Sequence, residues 1–146
     1  MNAVLTLVLF TIAAPERKPL APSEETPPSV HQQILGEWKL VSAVIGGKSE
    51  IANRPKDTIL TFERKVIHVR EDGIQRPNDD AAYALDTTKA IVQIDTTPKD
   101  AKILGILKVE GDRLTLCFSL GSARPASFAS PAGSSVSLYQ FQRIKR

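Results

Sequence analysis

Beyond residue 30, apolar side chains recur at every second position, in short runs broken by Gly, Asp, Asn and Pro. Successive side chains of a strand point to opposite faces, whereas a helix repeats about every 3.6 residues. A chain with this period folds into strands. Residues 37–45 alternate and end at Gly46-Gly47, a pair that tolerates the positive φ of a tight hairpin turn. Residues 58–63 follow, with Leu60 and Phe62 on one face and Arg64-Lys65 as the turn. Residues 66–70 run into Glu71-Asp72-Gly73, where Asp-Gly is a strong hairpin signal. A broken strand resumes at Ile74 and again over 81–85, interrupted around Pro77-Asn78-Asp79-Asp80. Runs at 90–95 and 102–109 come next, and Gly111-Asp112 turns the latter into 113–119, where Leu114, Leu116 and Phe118 share a face. A loop rich in Gly, Ser and Pro covers 120–135. The last strand, 136–143, sets Tyr139, Phe141 and Arg143 on one side and Leu138 and Gln140 on the other. A short helical turn over 30–35 precedes the first strand.

About eight short strands with no helix of useful length cannot make the long crossovers of a parallel sheet, so the sheet is antiparallel. It must bury one face and also hide two edges. Closure into an up-and-down barrel does both, whereas a two-sheet sandwich, the competing architecture, leaves edges free. The ends of the sheet favour closure. Gly36-Glu37-Trp38 opens the first strand and Arg143 lies on the last. In a closed barrel these strands are neighbours, so the guanidinium can lie over the indole and seal the bottom. Gly36, Trp38 and Arg143 are therefore the structural signature, and Trp38 is a folding residue before it is a ligand contact.

Gly36-x-Trp38 with a late Arg143 resembles the lipocalin-like barrel superfamily. A longer match runs from Leu35-Gly36-Glu37-Trp38-Lys39-Leu40-Val41-Ser42-Ala43 through Tyr83-Ala84-Leu85-Asp86 and Ile94-Asp95. It continues over Gly105-Ile106-Leu107-Lys108-Val109-Glu110-Gly111-Asp112-Arg113-Leu114-Thr115-Leu116-Cys117-Phe118 and ends with Arg124-Pro125, Phe128 and Gly133-Ser134. It resembles a bacterial domain family without established activity, found mostly in planctomycetes and often exported. Those domains carry a more polar, Lys- and Pro-rich stretch before the Ile-Asp pair, where this chain has the apolar Ala90-Ile91-Val92-Gln93. The resemblance implies a lipocalin-like barrel and export, and no particular chemistry.

The N-terminal part has a different composition. Residues 3–14 are apolar, and the first charged side chain is Glu16. A bilayer-spanning helix needs about 20 apolar residues, whereas the core of a signal peptide runs to about 7–15. Ala13-Ala14 offers a cleavage site, although Pro15 moves the cut to after Ala13 or further downstream, and no Lys or Arg precedes the run. An N-terminal strand docked on the fold is the alternative. Half of the ten prolines (Pro15, Pro19, Pro22, Pro27, Pro28) then mark a solvated spacer. The expected organisation is a signal peptide at 1–14, a Pro-rich linker at 15–29 and a lipocalin-like barrel at 30–146. The protein is expected to be exported, periplasmic or secreted, with no transmembrane helix.

Chemistry-bearing residues are few. A single cysteine, Cys117, excludes an internal disulfide framework and a Cys-based zinc cage. It alternates away from Leu116 and Phe118, so its thiol faces outward or lies against a loop. His31 precedes the first strand and His68 sits within one. There is no Gly-x-Ser-x-Gly elbow, and Gly121-Ser122 has no histidine nearby in sequence. The pairs Glu71-Asp72 and Asp79-Asp80 carry enough oxygens for calcium, yet their spacing fits no EF-hand loop. Nineteen Lys and Arg against sixteen Asp and Glu give a net charge of +3, too small to require a polyanionic partner. The basic residues are scattered, which argues against nucleic acid. No catalytic, metal or cofactor residue is assigned.

What remains is binding. One reading is a module that holds a small, partly apolar ligand in the barrel mouth. Another is a protein-interaction or envelope-structural module whose interior is filled by its own Leu, Ile, Val and Phe side chains, with at most a shallow cavity. A hydrolase ranks third.

Overall fold

Each strand pairs antiparallel with its neighbours, and the last pairs with the first. The computed structural model describes residues 26–145. The expected signal peptide, and the linker as far as residue 25, lie outside the described residues. The elements are α1 (Val30–Gln33), β1 (Gly36–Ile45), β2 (Lys48–Ser49), β3 (Thr58–Phe62), β4 (Val66–Glu71) and β5 (Ile74–Gln75). These are followed by β6 (Ala81–Asp86), β7 (Val92–Pro98), β8 (Ile103–Glu110), β9 (Arg113–Ser119) and β10 (Val136–Arg143). Single 3-10 turns lie at Ile51–Asn53 and Pro77–Asp79.

Eight of these strands form the ring β1-β3-β4-β6-β7-β8-β9-β10, and β10 returns to β1, so the sheet is an all-β closed barrel as expected. β2 extends the hairpin after β1, and β5 folds back on β4. The closing seam places Trp38 opposite Arg143, Leu40 opposite Phe141, Ala43 opposite Tyr139 and Ile45 opposite Ser137. The register slips between Leu40 and Ser42, which makes Val41 a bulge residue, half exposed to solvent. Before the bulge Trp38 and Leu40 point inward; after it Ala43 does. A simple alternation from Glu37 onward does not anticipate this change of phase.

The core is Ile34, Trp38, Leu40, Phe62, Ile67, Ile94, Leu107, Leu114, Leu116 and Phe141, with Phe62 and Tyr83 packed edge to face. Helix α1 closes one end. Ser29 caps it with a reciprocal Ser29–Gln32 capping box, and Ile34 beyond it is fully buried. The carbonyls at its C-terminal end accept from the barrel itself. Trp38 Nε1 donates to Ile34 O at 2.8 Å, and Arg143 donates to Leu35 O at 3.0 Å and to Gln33 O. The Arg143 Cζ stands 4.1 Å above the Trp38 ring. A cation at a helix C-terminus thereby satisfies carbonyls that have no partner within the helix. Gly36 sits at φ +114°, a conformation that residues with a side chain rarely adopt, and lies beside Arg143.

The loop at 120–135 lies over the outer face of β7, β8 and β9. Arg124 fastens it by donating to Gly105 O at 2.7 Å and Ile94 O at 3.3 Å, with an ion pair to Asp95 at 2.7 Å. Burial opposes ionisation of Asp95, yet the hydrogen bonds from Arg124 and Lys102 hold its carboxyl below the usual range. Beneath this loop the Cys117 thiol faces outward from the barrel. It is fully covered, with Sγ 3.6 Å from Ser127 O and 3.7 Å from Ala129 O, and burial pushes its pKa up.

Candidate functional site

The end of the barrel opposite α1 is open. A cavity of about 340 Å³ enters it between β1, β3, β4, β9 and β10. Its wall is apolar, formed by Leu40, Leu60, Val69, Leu116, Phe118 and Phe141. The inward phase of each strand supplies these side chains, since Leu60 pairs with Val69 and Leu40 with Phe141. Space remains for a local reason: Phe118 leans against Gly105, where an added Cβ would come within 2.5 Å of its ring. The ring therefore lies on the β8 wall. The interior is not filled by its own side chains as fully as the alternation alone implies.

Polar groups gather at the rim. Glu71 ends β4 in the same phase as Ile67 and Val69, and Arg76 Nε lies 3.3 Å from its Oε2. Asp79 comes from the 3-10 turn before β6 and is exposed. Arg54 follows the other 3-10 turn. Its Nη2 donates to Tyr139 Oη at 3.4 Å, and its Cζ lies 5.7 Å from the Tyr139 ring centre. Thr58, almost fully buried, donates its hydroxyl to Pro55 O at 3.3 Å. The rim thus carries two acids, one guanidinium, one phenol and one hydroxyl around an apolar pocket. That is a binding arrangement.

The signature residues Gly36, Trp38 and Arg143 meet at the other end and do not touch this cavity. The two acidic pairs separate. Asp72 accepts from Asp57 N at 3.1 Å, Asp80 bonds to His68, and Glu71 and Asp79 face the rim. Among the described residues no group of three His, Cys, Asp or Glu is placed to hold a metal ion. His68 lies on the outer face. Its Nδ1 is 2.8 Å from Asp80 Oδ2 and its Nε2 3.5 Å from Glu63 Oε2. The Asp80 hydrogen bond raises the histidine pKa against a smaller opposing effect of burial. Both ring nitrogens face carboxylates, and among the described residues no hydroxyl or thiol is bonded to either, so no nucleophile is paired with this base among them.

The sequence weighs Glu71 and Asp79 only as members of acidic pairs with oxygens for calcium, and it does not mark Arg54 or Tyr139 as site residues. Glu71 does carry a signal, because it continues the inward alternation of Ile67 and Val69 and so puts a charge at one end of an apolar face. Arg54 carries none, since it lies in an irregular link whose direction only the fold sets. No protein-family model matches the chain, and no curated protein matches it.

Proposed function

We propose that this protein is a non-catalytic binding module that holds a small, partly apolar molecule in the open end of its barrel. The single observation that carries the reading is the cavity of about 340 Å³, with apolar walls and a polar rim. This volume lies within the span of about 300–1,000 Å³ of small-molecule sites, at the compact end. The reading that the barrel serves a protein partner has less support. The most exposed apolar side chains, Val41, Ile74 and Leu120, sit singly on different elements, and scattered residues of this kind are ordinary surface.

Two further parts of the proposal rest on the sequence. The apolar run at 3–14, followed by a Pro-rich spacer, supports export of the mature domain. The match from Leu35 to the final strand supports kinship with the exported bacterial barrel domains described above. N-terminal sequencing of the protein recovered from its native cells tests export. A mature chain starting after Ala13 or further downstream is expected, and an intact N-terminus on cytoplasmic protein would overturn it.

Native mass spectrometry of protein purified without denaturant tests the pocket, together with titration of neutral N-phenyl-1-naphthylamine followed by fluorescence. A co-purifying small molecule, or saturable enhancement of the probe, is expected. A ligand-free protein that leaves the probe dark sinks the reading.

A further inference from the structure

Four arginines of the described chain are half-buried: Arg54, Arg70, Arg124 and Arg143. Three of them meet a carboxylate. Arg70 reaches Glu37 at 3.5 Å, Arg124 reaches Asp95 at 2.7 Å, and Arg143 reaches Asp112 at 3.7 Å. Arg54 is the exception. Among the described residues its partners are the phenol oxygen and the ring of Tyr139, with no carboxylate in ion-pair range. A guanidinium withdrawn from water without a counter-charge is costly, and its fork of N–H donors fits a carboxylate in two parallel hydrogen bonds.

The other charges at the rim narrow the choice. Glu71 is already neutralised by Arg76, and Asp79 is exposed at the lip, where water solvates it. Among the described residues, Arg54 and Asp79 are the two rim charges without an ion pair, and of these Arg54 is the half-buried one that borders the apolar pocket. We propose that the cavity takes amphiphiles with a single carboxylate, the acid seated on Arg54 and the hydrocarbon body against Leu40, Leu60, Val69 and Phe141. This inference rests on the pocket reading above and adds the chemical class of its ligand. A cationic head group would meet Arg54 unfavourably. A second carboxylate would find no further unpaired cation among the described rim residues and would meet Asp79 there. The compact volume favours a medium-length body over a long one.

The test ranks four molecules of equal chain length by displacement of the neutral naphthylamine probe: decanoate, decanol, decylamine and decanedioate. Decanoate is expected to bind at least about tenfold more tightly than decanol, because a charge-assisted pair outweighs a neutral hydrogen bond. Decylamine and decanedioate are expected to be weaker than decanoate. In R54Q the probe still binds while the preference for decanoate over decanol disappears. R54K, which keeps the charge and loses the fork, is expected to retain part of it. Probe binding with decanol equal to decanoate, or with decylamine ranked first, overturns the carboxylate inference and leaves the pocket reading standing. An R54Q protein that still prefers decanoate assigns the acid elsewhere and likewise overturns it. Failure of the probe and all four ligands to bind the wild-type protein overturns both. The wild-type ranking decides the ligand class even if R54Q does not fold.

Discussion

Trp38 does three things at one position. It fills the closed end of the barrel, donates Nε1 to Ile34 O, and carries the Arg143 guanidinium on its face. Removing a large buried aromatic costs its transfer energy plus the cavity left behind, so W38A is expected to lose about 3–5 kcal/mol in urea unfolding. A loss under about 1 kcal/mol would show that the indole is not what holds this end. R143K keeps the charge but cannot reach the Gln33 and Leu35 carbonyls as a fork, and it stacks less well on the indole. Its expected cost is about 1–2 kcal/mol by the same measurement. Gly105 is under a different constraint. A Cβ there would stand 2.5 Å from the Phe118 ring and 2.8 Å from the Cys117 carbonyl, which the β8–β9 ladder holds in place. G105A is therefore expected to cost about 1–3 kcal/mol from overpacking. It should also push the Phe118 ring toward the cavity and weaken probe binding.

Between elements, the thinnest seam of the ring is β4–β6, where only Val66–Ala82 and Ile67–Ala81 pair. Side chains supplement it. Asp80 accepts from Val69 N at 3.2 Å and bonds to His68 at 2.8 Å, while Tyr83 Oη donates to Glu63 O at 2.5 Å. Because the folded state raises the His68 pKa above the unfolded value of about 6.5, folding favours the protonated ring. The stabilisation is therefore full below about pH 6.5 and is lost as pH rises through the higher folded-state value. The pair is partly open to water, with 34% of the His68 side chain exposed, so the effect is expected to stay below about 1 kcal/mol. Urea midpoints taken from pH 5.5 to 8.5 should fall with pH in the wild-type protein and lose that slope in H68Q. An unchanged slope in H68Q would assign the pH dependence to another group. The strands themselves were legible because their turns are. Gly46-Gly47, Asp72-Gly73 and Gly111 all adopt positive φ, and these are the residues that adopt it at least cost. The Val41 bulge was not legible, since one unpaired residue leaves no mark in composition or alternation.

At the scale of the whole molecule, alternation says which side chains enter the barrel and cannot say how completely they fill it. The filled end was readable from Trp38 and Arg143, one on the first strand and one on the last. The open end was not, because its volume depends on where Phe118 leans against Gly105. Of its charges only Glu71, which extends the inward phase of β4, carries a signal; Arg54 and Asp79 come from links between strands, where sequence carries no direction. The two ends accordingly have different tasks: the one packed by α1 supplies stability, and the open one can be altered with less effect on the fold. Filling the cavity separates these tasks. Val69 lines the cavity opposite Leu60, away from Trp38, Arg143 and α1. V69W places an indole in space of about 340 Å³ that the native side chains leave unfilled. It is expected to shift stability by no more than about 1–3 kcal/mol, the range of overpacking, while weakening the neutral probe at least about tenfold, a loss of about 1.4 kcal/mol in binding. V41W, on the outer bulge, adds the same bulk outside the barrel and is expected to leave binding unchanged. Equal probe affinity in V69W and the wild-type protein would place the binding site elsewhere on the molecule, and the Arg54 argument would fall with it.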